Sequence, residues 1–265
     1  MKKVSLLIIV VVGVMSFEYA PVKQQFIVSA HRGYSSIAPE NTLSAFKKAI
    51  DVGADYFECD VRYTKDRKIV TLHDSTLDKT TNDVGLLSSK TYNEVSKIDA
   101  GYPDRFGDRY RNEHIPTLKK VLELAKGKIK VEIEIKDTNM AKDVVALIKK
   151  LDMEHEVLVI AFNFNELKKV KELDSSISVK YLVGRNWGEA EIEKIISIGG
   201  EYIGPSGVPT YVQVQKAHSK NIKIISYTIN TSQEIQAAIY SGIDGIATDY
   251  PKRSMKIREA STITN

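Results

Sequence analysis

The chain between Val28 and Asp74 reads VSAHRGYSSIAPENTLSAFKKAIDVGADYFECDVRYTKDRKIVTLHD. It opens within an apolar, β-branched run, Phe26 to Ala30, which is typical of a buried strand. Pro39 to Thr42 then have the composition of a helix start, and they precede an amphipathic segment, 43–52. This order of strand, polar loop and helix predicts a βα unit with polar residues at the carboxyl end of its strand.

The next predicted strand, Tyr56 to Arg62, carries two acids on one face. Glu58 and Asp60 alternate with Phe57 and Cys59, so the acids point to one side and the apolar residues to the other. The acids could be solvated residues of an edge strand. If the strand is buried on both sides, they need a cation, a proton or strong donors, because like charges about 4 Å apart repel by roughly 4 kcal/mol at an effective dielectric of about 20. A divalent metal ion with oxygen ligands meets this need.

Nine segments have the composition of strands, one more than an eight-stranded barrel requires. They are 26–30, 56–62, 69–72, 130–135, 157–160, 178–182, 202–204, 223–227 and 245–248. The link 63–68 is too short for a parallel crossover, which takes about a dozen residues, so the third segment is predicted to return antiparallel to the second. Eight parallel strands remain and predict an α/β fold, a (βα)8 TIM barrel over residues 26–265. The hairpin would bring His73 back to the level of Asp60.

The segment 131–136, VEIEIK, alternates strictly and adds a third acid. Glu132, Glu134 and Lys136 share one face, and on a barrel strand that face is turned to the interior. Glu134 and Lys136 would therefore join the two acids of the second strand. A buried Glu–Lys pair that only stabilises the barrel is the alternative.

Several short motifs in order resemble the glycerophosphodiester phosphodiesterase family. They are HRG (31–33), PENT (39–42), ExD (58–60), HD (73–74), LDKTT (77–81), IPTL (115–118), EIK (134–136), YTIN (227–230) and GIDGIATDYP (242–251). Each motif alone is weak, but their common order and spacing make the resemblance specific. It implies a metal-dependent enzyme that hydrolyses a glycerophosphodiester to glycerol 3-phosphate and an alcohol.

The resemblance implies metal ligands and catalytic residues. It assigns Glu58, Asp60 and Glu134 to one divalent cation, and a donor set made only of oxygens suits Ca²⁺ or Mg²⁺ better than zinc. His31 and His73 could be structural, but both follow strands directed at the acids, and imidazole transfers protons near neutral pH. One would deprotonate the attacking oxygen and the other would protonate the leaving alkoxide. Which histidine does which stays open, as does the choice between direct attack by water and a cyclic phosphate intermediate.

The remaining predicted site residues contact the substrate. Arg32 and Lys136 are expected to bind the phosphate, since a guanidinium fork suits a phosphate. Phe162 and Tyr227 are expected either to line the glycerol or headgroup pocket or to plug the barrel. The family often has tryptophan where Tyr227 stands and serine where Ala161 stands, which leaves the headgroup preference open.

Four further polar residues are interpreted as supports for the site. Glu40 and Asn41 are expected to brace the His31 loop and the helix start, Asp74 is treated in the same way, and Asp249 is expected to orient its neighbours.

The first residues are separate from the barrel. Lys2 and Lys3 precede Val4 to Phe17, an apolar run with the arrangement of a secretory signal peptide. As a helix it would be about 21 Å long, shorter than a hydrocarbon core of roughly 30 Å. Residues 1–25 are therefore predicted to be a signal peptide or, if uncleaved, an N-terminal anchor. Export to the periplasm or the exterior is expected, with membrane contact only through this segment.

The amino-acid composition limits which classes of partner are expected. A net charge of +4 is too small to argue for nucleic acid. The family resemblance implies a small-molecule phosphodiester as the partner, while the oligomeric state is open. The single Cys59 excludes an internal disulfide. The polar and glycine-rich insertion 75–115 is expected to cover the barrel mouth as a cap, although a mobile insertion without a role would have the same composition.

Two other functions fit the same residues. One is a barrel that binds a metal or ligand without turnover, which the presence of both histidines and all three acids disfavours. The other is a lysophospholipase D-type enzyme acting on single-chain lipids, for which a wide apolar mouth would be expected.

Overall fold

A computed structural model describes residues 26–263; the predicted signal or anchor segment lies outside them. Within this range nine strands form one sheet: β1 (Ile27–Ala30), β2 (Tyr56–Tyr63), β3 (Ile69–Thr71), β4 (Lys130–Ile135), β5 (Val157–Ala161), β6 (Ser178–Val183), β7 (Tyr202–Pro205), β8 (Lys223–Ser226) and β9 (Gly245–Thr248). The order is β1-β9-β8-β7-β6-β5-β4-β2-β3, and β1 also pairs with β2. Eight parallel strands thus close into the predicted TIM barrel.

Ten α-helices occur in the described part of the chain: α1 (Leu43–Asp51), α2 (Tyr92–Val95), α3 (Pro103–Phe106), α4 (Leu118–Ala125), α5 (Ala141–Lys150), α6 (Phe164–Leu173), α7 (Glu189–Ile196), α8 (Tyr211–Ser219), α9 (Ser232–Ser241) and α10 (Pro251–Ile263). Most follow a barrel strand and cover its outer face; the short helices α2 and α3 belong to the insertion. None of the helices between residues 26 and 263 is long and apolar enough to span a membrane.

The predicted hairpin is confirmed. β3 pairs antiparallel with β2, with Tyr63 opposite Ile69. Asp66 lies in the turn and accepts a hydrogen bond of 2.6 Å from the Thr64 hydroxyl. Because the backbone N–H of Leu72 donates to the Asp60 carbonyl at 3.0 Å, the residues after β3 reach the level of the acids at the carboxyl end of the barrel.

The outer face of β2 is buried under α1, as its alternation predicts. Phe57, Cys59 and Val61 have no exposed surface, and the ring of Phe57 stacks on that of Phe46 with centroids 4.5 Å apart. Apolar burial of this kind stabilises the barrel–helix contact by roughly 1.5–3 kcal/mol for each large side chain. The inner face of β2 is therefore the one that carries Glu58 and Asp60.

The loop between β1 and α1 is held close to the helix. Gly33 has a φ of +80°, and a Cβ at this position would lie 2.6 Å from the backbone carbon of Ala45. Only glycine allows both this conformation and this approach. Thr42 caps α1 by accepting from the Ala45 N–H at 3.3 Å. The packing fixes the backbone that presents His31 and Arg32.

The insertion forms a second hydrophobic core together with Val70 and Leu72 of the β3 segment. The buried residues of this core are Val70, Leu72, Leu77, Leu87, Val95, Ile98, Ala100 and Ile115. The insertion contacts the β1–α1 region through the Tyr110 hydroxyl, which donates to the Ile37 carbonyl at 2.6 Å, and through a Ser44–Glu113 hydrogen bond. These links hold the insertion against the loop and helix that follow β1, and its role as a cap stays a prediction.

Candidate active site

Three acids meet inside the carboxyl end of the barrel. Glu58 and Asp60 come from β2 and Glu134 from β4, where it is the register partner of Asp60. One carboxylate oxygen of each lies within 4.8 Å of the others, and their exposed fractions are 2%, 1% and 9%. Among residues 26–263 this is the one group of three or more acid, histidine or cysteine side chains with metal-ligand spacing.

The three acids and two nearby cations shift the pKa values of the acids. Burial, then Asp60 and Glu134, raise the pKa of Glu58 well above its usual value. Burial would also raise the pKa of Asp60, but the cations Arg32 and Lys136 lower it. The Glu58 Oε1 atom is buried and makes no hydrogen bond to any residue that the structure describes. An orphaned buried acceptor beside two other carboxylates calls for a cation or a proton.

Arg32 and Lys136 flank the acids. The Arg32 backbone N–H donates to Glu58 Oε2 at 2.8 Å, and Arg32 itself has a left-handed φ of 56°. The Arg32 guanidinium lies 2.7 Å from Glu40 and 3.4 Å from Asp60. Lys136 Nζ lies 2.7 Å from Glu134 and 3.4 Å from Asp60. Both predicted phosphate-binding cations are therefore at the acid cluster.

Asn41 clamps Asp60 from two sides. Its side-chain Nδ2 donates to Asp60 Oδ2 at 2.8 Å, while its Oδ1 accepts from the Asp60 backbone N–H at 3.0 Å. Asn41 has a φ of 61°, a conformation that asparagine tolerates better than most residues. These two bonds fix the orientation of the Asp60 carboxylate. The expected bracing role of Asn41 thus includes a direct contact with a candidate metal ligand.

His31 follows β1 and is oriented by Asp249 at the end of β9. Its Nδ1 lies 2.8 Å from Asp249 Oδ1. Asp249 also accepts from the Ser35 hydroxyl at 3.0 Å and from Asn230 Nδ2 at 2.7 Å. Although burial opposes it, these donors lower the pKa of Asp249 to about 2. A carboxylate on Nδ1 holds the ring in the tautomer whose Nε2 is available to a reactant.

His73 is oriented by its neighbour in sequence. Its Nδ1 lies 2.7 Å from Asp74 Oδ1. The His73 carbonyl accepts from Arg62 Nε at 2.9 Å, and Arg62 is paired in turn with Asp137 at 2.7 Å. Burial and the positive charge of Arg32 lower the pKa of His73. The imidazole of His73 is therefore biased towards its neutral form.

Comparison of the sequence with known protein families gives a match. The sequence matches the model of the glycerophosphoryl diester phosphodiesterase family over residues 31–253. The chain belongs to this family. Its fold and its activity are accordingly those of a glycerophosphodiester phosphodiesterase.

Relatives of this family align over most of the chain. A glycerophosphodiester phosphodiesterase of Caldanaerobacter subterraneus subsp. tengcongensis is 34% identical over 236 residues, which cover 85% of this chain and 95% of the relative. A solved structure from Silicibacter pomeroyi superposes with a TM-score of 0.83 at 25% identity, covering 91% of this chain and 95% of that one. An Oleispira antarctica phosphodiesterase in complex with the product sn-glycerol-3-phosphate superposes with a TM-score of 0.79 at 26% identity, covering 88% and 96%.

The donor set of this glycerophosphodiester phosphodiesterase fits a divalent metal ion. Glu58, Asp60 and Glu134 offer only oxygen atoms, the ligands that Ca²⁺ and Mg²⁺ prefer. Glu58 Oε1, buried and without a partner among residues 26–263, is available as a ligand atom.

Phe162 and Tyr227 lie together at the barrel mouth of this enzyme. Their rings meet edge to face with centroids 5.9 Å apart. Phe162 is 51% exposed, whereas Tyr227 is half-buried and donates its hydroxyl to the Val183 carbonyl at 3.0 Å. An exposed ring does not plug a barrel, so the geometry of Phe162 favours a pocket wall. Tyr227 lines the interior next to His31 and the acids.

The structure brings all nine predicted site residues of this family member to one end of the barrel. The sequence predicts the partners of the histidines only as general supports, and it does not identify Asn230 and Ser35 as the residues that hold Asp249. The motif YTIN, which ends at Asn230, was the available signal, but a motif alone does not name the partner of its asparagine.

Proposed function

We propose that this chain hydrolyses glycerophosphodiesters to glycerol 3-phosphate and an alcohol in a metal-dependent reaction with His31 and His73 as general acid and base. The observation that carries the proposal is the pairing of two Asp-oriented imidazoles with one cluster of three acids. The Oleispira antarctica relative, whose structure contains sn-glycerol-3-phosphate, supports the product.

Glu58, Asp60 and Glu134 would hold the divalent ion, either Ca²⁺ or Mg²⁺. When bound, the ion supplies positive charge that polarises a phosphoryl oxygen. Asn41 keeps the Asp60 carboxylate in place through its two hydrogen bonds. The ligands are therefore preorganised before substrate arrives.

Arg32 and Lys136 would bind the phosphate of the diester. Both are partly exposed, and both already neutralise Asp60. Although burial opposes the shifts, the surrounding acids raise the pKa of Arg32 and of Lys136. Both side chains therefore stay cationic at neutral pH and can stabilise charge that develops on the phosphoryl oxygens.

The two histidines would move the protons. Asp249 and Asp74 each occupy the Nδ1 side of a ring, which leaves Nε2 of His31 and of His73 for the reaction. One Nε2 accepts the proton of the attacking oxygen, and the other donates a proton to the leaving alkoxide. Each transfer is worth about 10² to 10⁴ in rate. Phe162 and Tyr227 would form the wall against the glycerol or headgroup.

The test is release of glycerol 3-phosphate from glycerophosphocholine by the purified full chain. We expect release with Ca²⁺ or Mg²⁺, none with chelator, and none from His31→Ala. His155→Ala, which alters an exposed histidine at the other end of β5, is the matched control and should retain activity. If folded protein releases nothing with either metal, the proposal is wrong, and an assay with lysophosphatidylcholine separates a lysolipid enzyme from a barrel that binds without turnover.

We further propose that the enzyme is exported. The support is the sequence alone, in which two lysines precede the apolar run of residues 4–17. Fractionation of expressing cells, with N-terminal sequencing of the mature protein, distinguishes a cleaved signal from an anchor.

A further inference from the structure

A second group of charges lies in the barrel interior, below the acid cluster. Glu132 precedes Glu134 by two residues on β4 and faces the interior as Glu134 does. Its Oε2 lies 2.8 Å from Lys180 Nζ, and the exposed fractions of the two side chains are 0% and 1%. This ion pair belongs to none of the interactions that bind the phosphate or orient the histidines.

The barrel makes room for this lysine. Lys180 is on β6, two strands away from β4, so its side chain crosses the interior to reach Glu132. Gly204 on β7 lies beside its path, because a Cβ there would be 3.2 Å from Lys180 Cδ and 2.9 Å from Leu182 Cδ2. A buried ion pair is often no more stabilising than apolar residues of similar volume, since both charges lose their hydration. Stability alone is therefore a weak reason for the pair.

The pair borders the candidate metal ligands directly. Glu132 is the register partner of Glu58 on the neighbouring strand. Within the described chain, Glu132 Oε1 and Glu58 Oε1 are both buried without a hydrogen-bond partner. Both residues line one cavity of about 20 Å³, together with Glu134 and Lys180. The charge of Glu132 therefore lies beside the candidate ligands, in a small cavity that Ile160 and Leu182 also line and where little solvent screens it.

The balance of charges in the barrel interior indicates how the Glu132–Lys180 pair can act on the acid cluster. Four carboxylates, those of Glu58, Asp60, Glu132 and Glu134, face three cations, those of Arg32, Lys136 and Lys180. Like charges on adjacent strands repel, and Lys180 offsets the charge of the one carboxylate outside the metal-ligand group. Removing either member of the pair changes the net charge near the cation position by one elementary charge, and the sign of the change is opposite for the two members.

We propose that Lys180 and Glu132, which lie below the acid cluster, form a positioning pair. The charges of this pair set the affinity of the cluster for its divalent cation. The inference rests on the proposed metal site. It predicts effects of opposite sign for the two members, whereas a pair that merely stabilised the barrel would loosen the ion site whichever member were removed.

The experiment is calorimetric titration of Ca²⁺ and Mg²⁺ into the purified full chain, with thermal unfolding measured in chelator. Glu132→Gln leaves the Lys180 ammonium uncompensated, so we expect the Kd of the ion to rise about tenfold or more. The double variant Glu132→Gln/Lys180→Met restores charge balance and should bind within about threefold of wild type. Glu172→Gln, which makes the same charge change in an exposed pair with Lys169 on α6, is the control and should alter the Kd by less than about twofold.

The outcomes separate this inference from the proposed function. If wild type binds neither ion, both are wrong. If wild type binds and Glu132→Gln binds equally well, or the double variant is no better than Glu132→Gln, only the inference is wrong. If Glu132→Gln does not fold, Lys180→Met decides: a Kd at least about threefold below that of wild type supports the inference, and a Kd equal to or above that of wild type overturns it.

Discussion

His31 and His73 are oriented by the same kind of hydrogen bond, but the two bonds are assembled differently. The partner of His31 is Asp249, 218 residues away, so this bond exists only because β9 closes the barrel beside β1. Asp249 is fixed further by Ser35 and Asn230. The His31 pair is thus a product of the closed fold.

The His73 pair is local. Asp74 is the next residue in the chain, its side chain is 38% exposed, and it lies on the extension beyond β3, not on a strand of the closed barrel. Fewer groups hold its carboxylate in place, and solvent screens the interaction. The comparison teaches that the same Asp–His hydrogen bond can be built by a neighbour in sequence or by closure of the whole barrel, and that only the second form depends on the global fold.

The largest effects are expected from the histidines themselves. His31→Asn and His73→Asn should each lower kcat by about 10² to 10⁴, because each removes one proton transfer. Glycerol 3-phosphate release under saturating substrate measures this. Retention of more than about a tenth of the wild-type kcat by either variant would exclude that histidine from the reaction.

The aspartates should differ, with the distant one mattering more. An Asn in place of either Asp can turn its NH₂ towards Nδ1 and favour the wrong tautomer. We expect Asp249→Asn to lower kcat about 100-fold and Asp74→Asn about 10-fold, since the exposed His73 pair can relax towards solvent. KM should change by less than about threefold in both, because neither carboxylate is paired with Arg32 or Lys136, the two cations proposed to bind the phosphate. If both variants lost the same fraction of kcat, the distinction between the His31–Asp249 pair and the His73–Asp74 pair would be wrong.

The His31–Asp249 pair should also contribute stability that depends on pH. The pKa of Asp249 is lowered to about 2, so its ionised form stabilises the fold above its unfolded value of about 3.9, and this stability is lost as the pH falls towards 2. Asp249→Asn should therefore lower the free energy of unfolding by about 2 kcal/mol at pH 7 and by much less near pH 2. Denaturant unfolding of both proteins across this range measures the difference. A difference independent of pH would show that ionisation of Asp249 is not its source.

The smallest expected effect concerns Ser35, which supports Asp249 from the β1–α1 loop. Ser35→Ala removes one hydrogen bond to an ionised acceptor and should cost about 1 kcal/mol of stability, with kcat reduced less than about threefold. Urea unfolding at pH 7 and the same release assay measure both quantities. A kcat as low as that of Asp249→Asn would mean that the hydroxyl, and not the Asn230 amide, determines the position of Asp249.

Most of the barrel was predictable because its signals are local. The apolar run before His31, the alternation in 131–136 and the short link 63–68 each reflect the pleat of one strand or the length of one connection. The helical turns of the insertion at 103–110 and the helix α10 were not predicted. Their residues show weak periodicity, and tertiary contacts such as Tyr110 to Ile37 hold the insertion in place.

The candidate site likewise has features that local sequence patterns predict and features that they do not. That Glu58 and Asp60 share a face follows from their spacing, and their meeting with Glu134 follows from parallel neighbouring strands. That Asn41 clamps Asp60, or that Lys180 reaches Glu132 past Gly204, follows from no local pattern.

The amino-acid sequence by itself determined the family, the closed parallel barrel and the identity of the acids, cations and histidines at its carboxyl end. It could do so because strand periodicity and motif spacing are properties of short segments. Only the tertiary structure decided that Asp249 orients the His31 imidazole, that Asn41 clamps Asp60 and that Glu132 pairs with Lys180. Those choices depend on barrel closure and side-chain packing, which join residues as far as 218 positions apart in the chain.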